Sequence, residues 1–101
     1  TEGAATRTLG KIARAQQNLD VAEDCLQRSL AIFDSLKNPF ELAQSQYHLA
    51  LLQRDRVNLS EARATLETAH ATFIRLGARA EEQRARAALD QFDAAASPPA
   101  E

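Results

Sequence analysis

The chain is poor in the residues that build most kinds of site. It has one cysteine, Cys25, and neither methionine nor tryptophan. A lone cysteine excludes an internal disulfide and any multi-cysteine zinc site. It also makes a reducing, cytoplasmic setting the default expectation. Glycine and proline occur three times each, and Pro98 and Pro99 fall at the very end. The glycines are isolated, so there is no glycine-rich phosphate loop. Apolar runs are short, as at Leu49–Leu52, where a membrane span needs ~18 residues or more. Excess charge of either sign is missing too: 12 basic residues face 14 acidic ones, for a net charge of -2. That balance gives no electrostatic footprint for duplex nucleic acid. With aromatics at 5%, a base-stacking RNA surface is disfavoured as well. Thr1–Gly10 lacks the charged start and apolar stretch of a signal peptide. The missing initiator methionine suggests a processed chain or an excised piece of a longer protein.

What remains is rich in alanine, leucine, glutamine, glutamate and arginine, all good helix formers. No alternating run of β-branched residues argues for strands. At 101 residues the chain suits one small domain that buries roughly 65% of its unfolded surface. A shift of 40 residues superimposes the chain on itself. Leu9 falls on Leu49 and Leu49 on Leu89, Arg14 on Arg54, Asn18-Leu19 on Asn58-Leu59, and Glu41 on Glu81. Ala22, Leu26, Ala31, Phe33 and Leu36 fall on Ala62, Leu66, Ala71, Phe73 and Leu76. Most of these matches are apolar and helically spaced, as repeated core positions would be.

Start and stop signals divide each unit into two helices, and a fifth helix follows. The first runs near Ala4 to Gln17, with Ala5, Leu9, Ile12 and Ala13 on one stripe. Asn18-Leu19 turns the chain. Asp20 reads as the next N-cap, with Glu23 completing a capping-box-like pair. The second helix carries Ala22, Leu26, Ser29, Leu30, Phe33 and Leu36. Asn38 caps the third helix and Pro39 suits its first position. That helix runs to about Asp55, with Leu42, Leu49, Ala50 and Leu52 inward. Ser60 caps the fourth, whose Ala62, Leu66, Ala69, Phe73 and Leu76 face the core, and Gly77 ends it. The fifth covers roughly Ala80 to Ala95, with Ala85, Ala88, Leu89, Phe92 and Ala96 on its apolar side. Connections this short make neighbouring helices antiparallel. The expected fold is therefore all-α: an α-solenoid of antiparallel helix-turn-helix repeats, about two and a half of them, in five helices. Repeat 1 spans about 1–38, repeat 2 about 39–78, and a capping helix about 79–96. A disordered tail, 97–101, completes the chain.

The unit resembles a tetratricopeptide repeat. Leu9-Gly10 matches that family's Leu-Gly step, and Ala22, Leu26 and Ser29 follow at matching distances. Leu49-Ala50, Ala62, Leu66 and Ala69 take the same places in the second unit, whereas the third keeps only Leu89. Small residues belong there because helices approach closely. The pattern departs from the family where Thr6 and Gln46 replace an aromatic and Ala13 and Gln53 replace a tyrosine. The period is 40 rather than ~34, and would also suit a HEAT or armadillo unit. The long variant is similar to arrays in large bacterial signalling proteins (ATPase-linked activators, cyclases, kinases) and in animal scaffolds.

The resemblance implies an interaction module with no cofactor, in which the first helix of each pair lines a concave face. Carried over position by position, that face holds Ala4, Arg7, Thr8, Lys11 and Arg14, then Gln44, Tyr47, His48, Leu51 and Arg54, then Arg84, Ala87 and Gln91. The candidate partner-binding residues are Arg7, Lys11, Arg14, Gln44, Tyr47, His48, Leu51, Arg54 and Arg84. The face is basic although the chain is acidic. Tyr47 and Leu51 break the core pattern, and are read as apolar contacts for a partner or as packing against a neighbouring helix. The expected partner is a peptide or helix with acidic groups, with no nucleic acid and no membrane; the alternative is a homodimer or a spacer segment. The family's carboxylate clamp is not carried over: Lys11 and His48 stand where asparagines would, and Ala88 where a basic residue would. Cys25 and His70 read as packing residues, because no partner is spaced to activate or ligate with them. Glu23-Asp24 and Glu81-Glu82, adjacent in sequence, point to different faces and form no catalytic pair. No enzymatic constellation is present.

Overall fold

The computed structural model describes residues 2–96, with side chains as far as Phe92. Its elements are α1 (Glu2–Ala15), α2 (Leu19–Ser35), α3 (Pro39–Asp55), α4 (Leu59–Leu76) and α5 (Arg79–Ala96), with no strand among the described residues. α1 packs chiefly on α2 and α3 on α4, while α2 also packs on α3 and α4 on α5. This is the all-α repeat architecture that the 40-residue echo implied. The stack measures 50 × 33 × 18 Å.

The turns keep a shorter period than the side chains. Gln17, Lys37, Val57 and Gly77 have φ values of 63°, 55°, 63° and 70° and stand 20 residues apart. At the first turn Gln17 N donates to Arg14 O at 3.0 Å and Asn18 N to Ala13 O at 2.8 Å. The same two bonds recur at every turn, ending with Gly77 N to Ile74 O at 3.1 Å and Ala78 N to Phe73 O at 2.9 Å. This is the Schellman closure, which satisfies carbonyls left over at a helix end. The residue after the left-handed one opens the next helix: the carbonyls of Asn18, Asn38, Asn58 and Ala78 accept from the N–H groups of Ala22, Leu42, Ala62 and Glu82.

Gly77 ends α4 as expected, and Asn38 caps α3, its side chain accepting from Glu41 N at 3.2 Å with Pro39 behind it. The expected caps Asp20 and Ser60 are corrected. α2 and α4 begin two residues earlier, at Leu19 and Leu59, with Asn18 and Asn58 in the cap position. Each Schellman turn delivers its asparagine straight into the following helix, so Asp20 and Ser60 fall inside the first turn. There Asp20 meets Arg56 at 3.1 Å, and Glu23 lies 3.7 Å from the same guanidinium rather than closing a capping box.

Each even-numbered helix lies between two odd-numbered ones. Ala22 and Leu26 of α2 share one core cluster with Ala13 of α1 and with Leu49 and Leu52 of α3. Ala62, Leu66, Ala69 and Phe73 of α4 share another with Ala43 and Ala50 of α3 and with Ala85, Ala88, Leu89 and Phe92 of α5. Small residues permit this closeness. A Cβ on Gly3 would sit 2.6 Å from Phe33 Cζ, and one on Gly10 would sit 2.9 Å from Leu26 Cγ.

The α1 stripe is a second correction. Leu9 and Ile12 are 58% and 48% exposed, and Ala5 is exposed too. Ala13 is buried as expected, and with it α1 buries Gly3, Thr6 and Gly10, because α2 packs on that side and no described element packs on the other. Leu36 and Leu76 are also exposed, since both lie where the chain is already entering a turn. Leu30 and Leu42 are half-buried. The Ala96 side chain and the expected tail at 97–101 lie outside the described residues.

Candidate functional site

α1, α3 and α5 bring most of the sequence-selected residues to one face. Arg7 is held most tightly. Its Nη1 lies 2.8 Å from Glu41 Oε1 and donates to the Glu41 carbonyl at 3.3 Å and to Ser45 Oγ at 3.4 Å. Its guanidinium also stands 5.5 Å from the Phe33 ring centroid, in cation–π range. Beneath it runs a buried hydroxyl relay. Ser29 Oγ donates to the Gly3 carbonyl at 3.2 Å and lies 2.7 Å from Ser45 Oγ. Ser29 and Ser45 are fully buried, so these bonds offset the cost of taking two hydroxyls out of water. The relay joins α1, α2 and α3.

Further along the face, Arg14 Nε donates to Asp55 Oδ2 at 2.6 Å and Nη2 reaches Oδ1 at 3.4 Å. Arg54 Nη1 donates to Gln91 Oε1 at 3.2 Å and so ties α3 to α5. Lys11 and Arg84 are exposed and have no ion-pair partner among the described residues. A shallow hollow lined by Lys11, Arg14, Ala15, Gln17 and Asp55 lies at the α1–α3 end.

His48 occupies the middle of this face. Its pKa is pushed down from 6.5 to about 4, first by burial and then by the charges of Lys11, Arg7, Arg14 and Arg84. The imidazole is therefore neutral at pH 7, and charges from both flanking odd helices converge on it. Tyr47 meets it edge to face, with centroids 5.2 Å apart and an 82° angle between the rings. Tyr47 and Leu51 are half-buried, and Tyr47 packs on the α3–α4–α5 core. Of the two readings of Tyr47, packing against neighbouring helices thus holds, with part of the residue still exposed. Gln44 is half-buried on the same helix.

Sequence reasoning missed the anions. Glu41 and Asp55 neutralise Arg7 and Arg14 from 34 and 41 residues away, at spacings no helical pattern marks. The Ser29–Ser45 relay was equally unmarked, because Ser29 matched only as a small residue. Cys25 and His70 are half-buried on α2 and α4. Among the described residues no group of three or more His, Cys, Asp or Glu side chains could hold a metal ion, and no helix is long and apolar enough to cross a membrane.

Comparison with known proteins adds one finding. A family model described as tetratricopeptide repeat matches residues 1–75. No curated protein and no solved structure matches the chain.

Proposed function

The chain belongs to the tetratricopeptide repeat family, and on that premise we propose that residues 1–96 form a non-catalytic module that binds an acidic peptide or partner helix on the concave face of α1, α3 and α5. Repeats of this family mediate protein–protein interaction. The observation that carries the finer reading is the convergence on His48 of Lys11, Arg7, Arg14 and Arg84, in a chain whose net charge is -2. Lys11 and Arg84 supply the free cations. Tyr47 and Leu51 supply half-buried apolar surface between them, so an extended acidic segment with one apolar side chain fits the chemistry. Arg7 and Arg14, already paired, shape the face more than they contact a ligand. The 40-residue period favours a place within a larger, cytoplasmic signalling or regulatory protein of the long-repeat kind. Self-association has one observation in its favour, the exposed Leu9 and Ile12 on α1.

The test is fluorescence polarisation of a labelled glutamate-rich peptide with one central leucine. Binding should weaken by about tenfold or more in the double variant Lys11→Glu/Arg84→Glu, and should weaken with rising salt. Unchanged affinity in that variant would overturn the reading. Arg7 is left intact because its loss would disturb the α1–α3 junction.

A further inference from the structure

We propose that the exposed side of α1 is a docking surface for one more amphipathic helix of the α2/α4 kind, and that the α5 end of the stack is closed to such a helix. This surface lies apart from the basic face. Its assignment follows from repeat register. Counting in steps of 40, Ala5, Thr8, Leu9 and Ile12 of α1 correspond to Ser45, His48, Leu49 and Leu52 of α3, and to Ala85, Ala88, Leu89 and Phe92 of α5. In α3 this stripe packs beside α2, with Leu49 4% and Leu52 0% exposed. In α5 it packs beside α4, with Leu89 and Phe92 each 5% exposed. In α1 the same stripe has Leu9 58% and Ile12 48% exposed. The two covered copies therefore state what covers the third.

The occupant follows from the same comparison. α2 offers Ala22, Leu26, Ser29 and Phe33, and α4 offers Ala62, Leu66, Ala69 and Phe73, all buried. The matching partner is a helix with small residues and leucine at i, i+4 and i+7 and phenylalanine at i+11. A second copy of this chain has no such stripe free, because those of α2 and α4 already lie between odd-numbered helices.

The far end differs. Gly3, Thr6 and Gly10, which face α2, correspond to Ala43, Gln46 and Ala50 in α3 and to Gln83, Arg86 and Asp90 in α5. On α5 those three are exposed, and Arg86 Nε lies 3.4 Å from Asp90 Oδ1. Long polar side chains there replace the small residues that let Phe33 and Leu26 approach α1. Covering them would strip an ion pair and an amide of water. The stack can accept a helix at α1 but not beyond α5.

The experiment joins a second copy of residues 39–80 directly ahead of Thr1 of the full chain. That keeps the α4-to-α5 register, because position 81 corresponds to position 1. Leu9→Asp and, separately, Ile12→Lys are then compared in the original and extended chains by thermal melting. In the original chain each should shift Tm by less than about 2 °C, as exposed substitutions do. In the extended chain each should lower it by about 10 °C or more, as burial of an unpaired charge does. Small effects in both chains would mean that α1 does not dock a helix. Large effects in both, with light scattering showing a dimer that the substitutions break, would make a second copy the occupant. Either result overturns the proposal.

Discussion

Val57 should be the most profitable single position for stabilising this chain. It is a β-branched residue held at φ 63°, in the left-handed region where the Cβ crowds the backbone. Such a conformation costs roughly 1–2 kcal/mol for an L-residue. The structure gives little in return, since the side chain is 75% exposed. Val57→Gly would keep both bonds of the turn, Val57 N to Arg54 O at 3.0 Å and Asn58 N to Gln53 O at 2.9 Å. Glycine loses about 0.5–1 kcal/mol more chain entropy on folding. The difference leaves a net gain of about 0.5–1 kcal/mol, or a Tm rise of about 2–8 °C for a domain of this size. The comparison turn is already present at Gly77, where a Cβ would meet nothing within 4 Å. Gly77→Val should therefore show the opposite sign from backbone strain alone. Thermal melts and urea titrations of the two variants measure both effects. A Val57→Gly variant no more stable than the parent would mean that the left-handed valine stores no strain, because nothing else at that site changes.

Three further outcomes are expected. Leu66 is fully buried, so Leu66→Ala should lose about 2–5 kcal/mol, and Leu66→Asp or Ala62→Trp should abolish cooperative melting. Gly10→Val should cost about 1–3 kcal/mol in urea titration despite better helix propensity, because its Cβ alone would stand 2.9 Å from Leu26 Cγ and 3.3 Å from the Ala22 carbonyl. His48, with its folded pKa near 4 against 6.5 unfolded, makes the unfolded chain bind the proton first. Stability from this group is complete above about pH 6.5 and is lost as pH falls towards 4, by about 1–2 kcal/mol after allowing for solvent screening. In His48→Gln, urea midpoints measured from pH 7 to 4 should lack that part of the slope.

The sequence was most readable where a feature repeats. Leu26 and Leu66, or Phe33 and Phe73, announce a core stripe by occurring twice at helical spacing. Asn38-Pro39 and Gly77 carry their own turn chemistry. The other left-handed turn residues were illegible, because glutamine, lysine and valine do not advertise a positive φ. Their 20-residue beat emerges only in the backbone bonds, and missing it displaced the starts of α2 and α4 by two residues. The α1 stripe was misread for another reason. Its pattern is that of a buried face, but burial depends on whether a neighbour is present, which a periodicity cannot report. On the basic face, the gathering of Lys11 and Arg84 around His48 was legible, because the three lie on odd-numbered helices that repeat register sets side by side. That Arg7 and Arg14 are already paired was not, since Glu41 and Asp55 reach them only through the fold.

On the proposed function, α1, α3 and α5 share one partner-binding face. The most direct measurement is a ¹⁵N-resolved NMR titration with the glutamate-rich peptide. The largest shifts are expected at Lys11, Tyr47, His48, Leu51 and Arg84, on three helices at once, with the His48 pKa rising as carboxylates enter. Shifts confined to α2 and α4, or none at all at millimolar peptide, would contradict it.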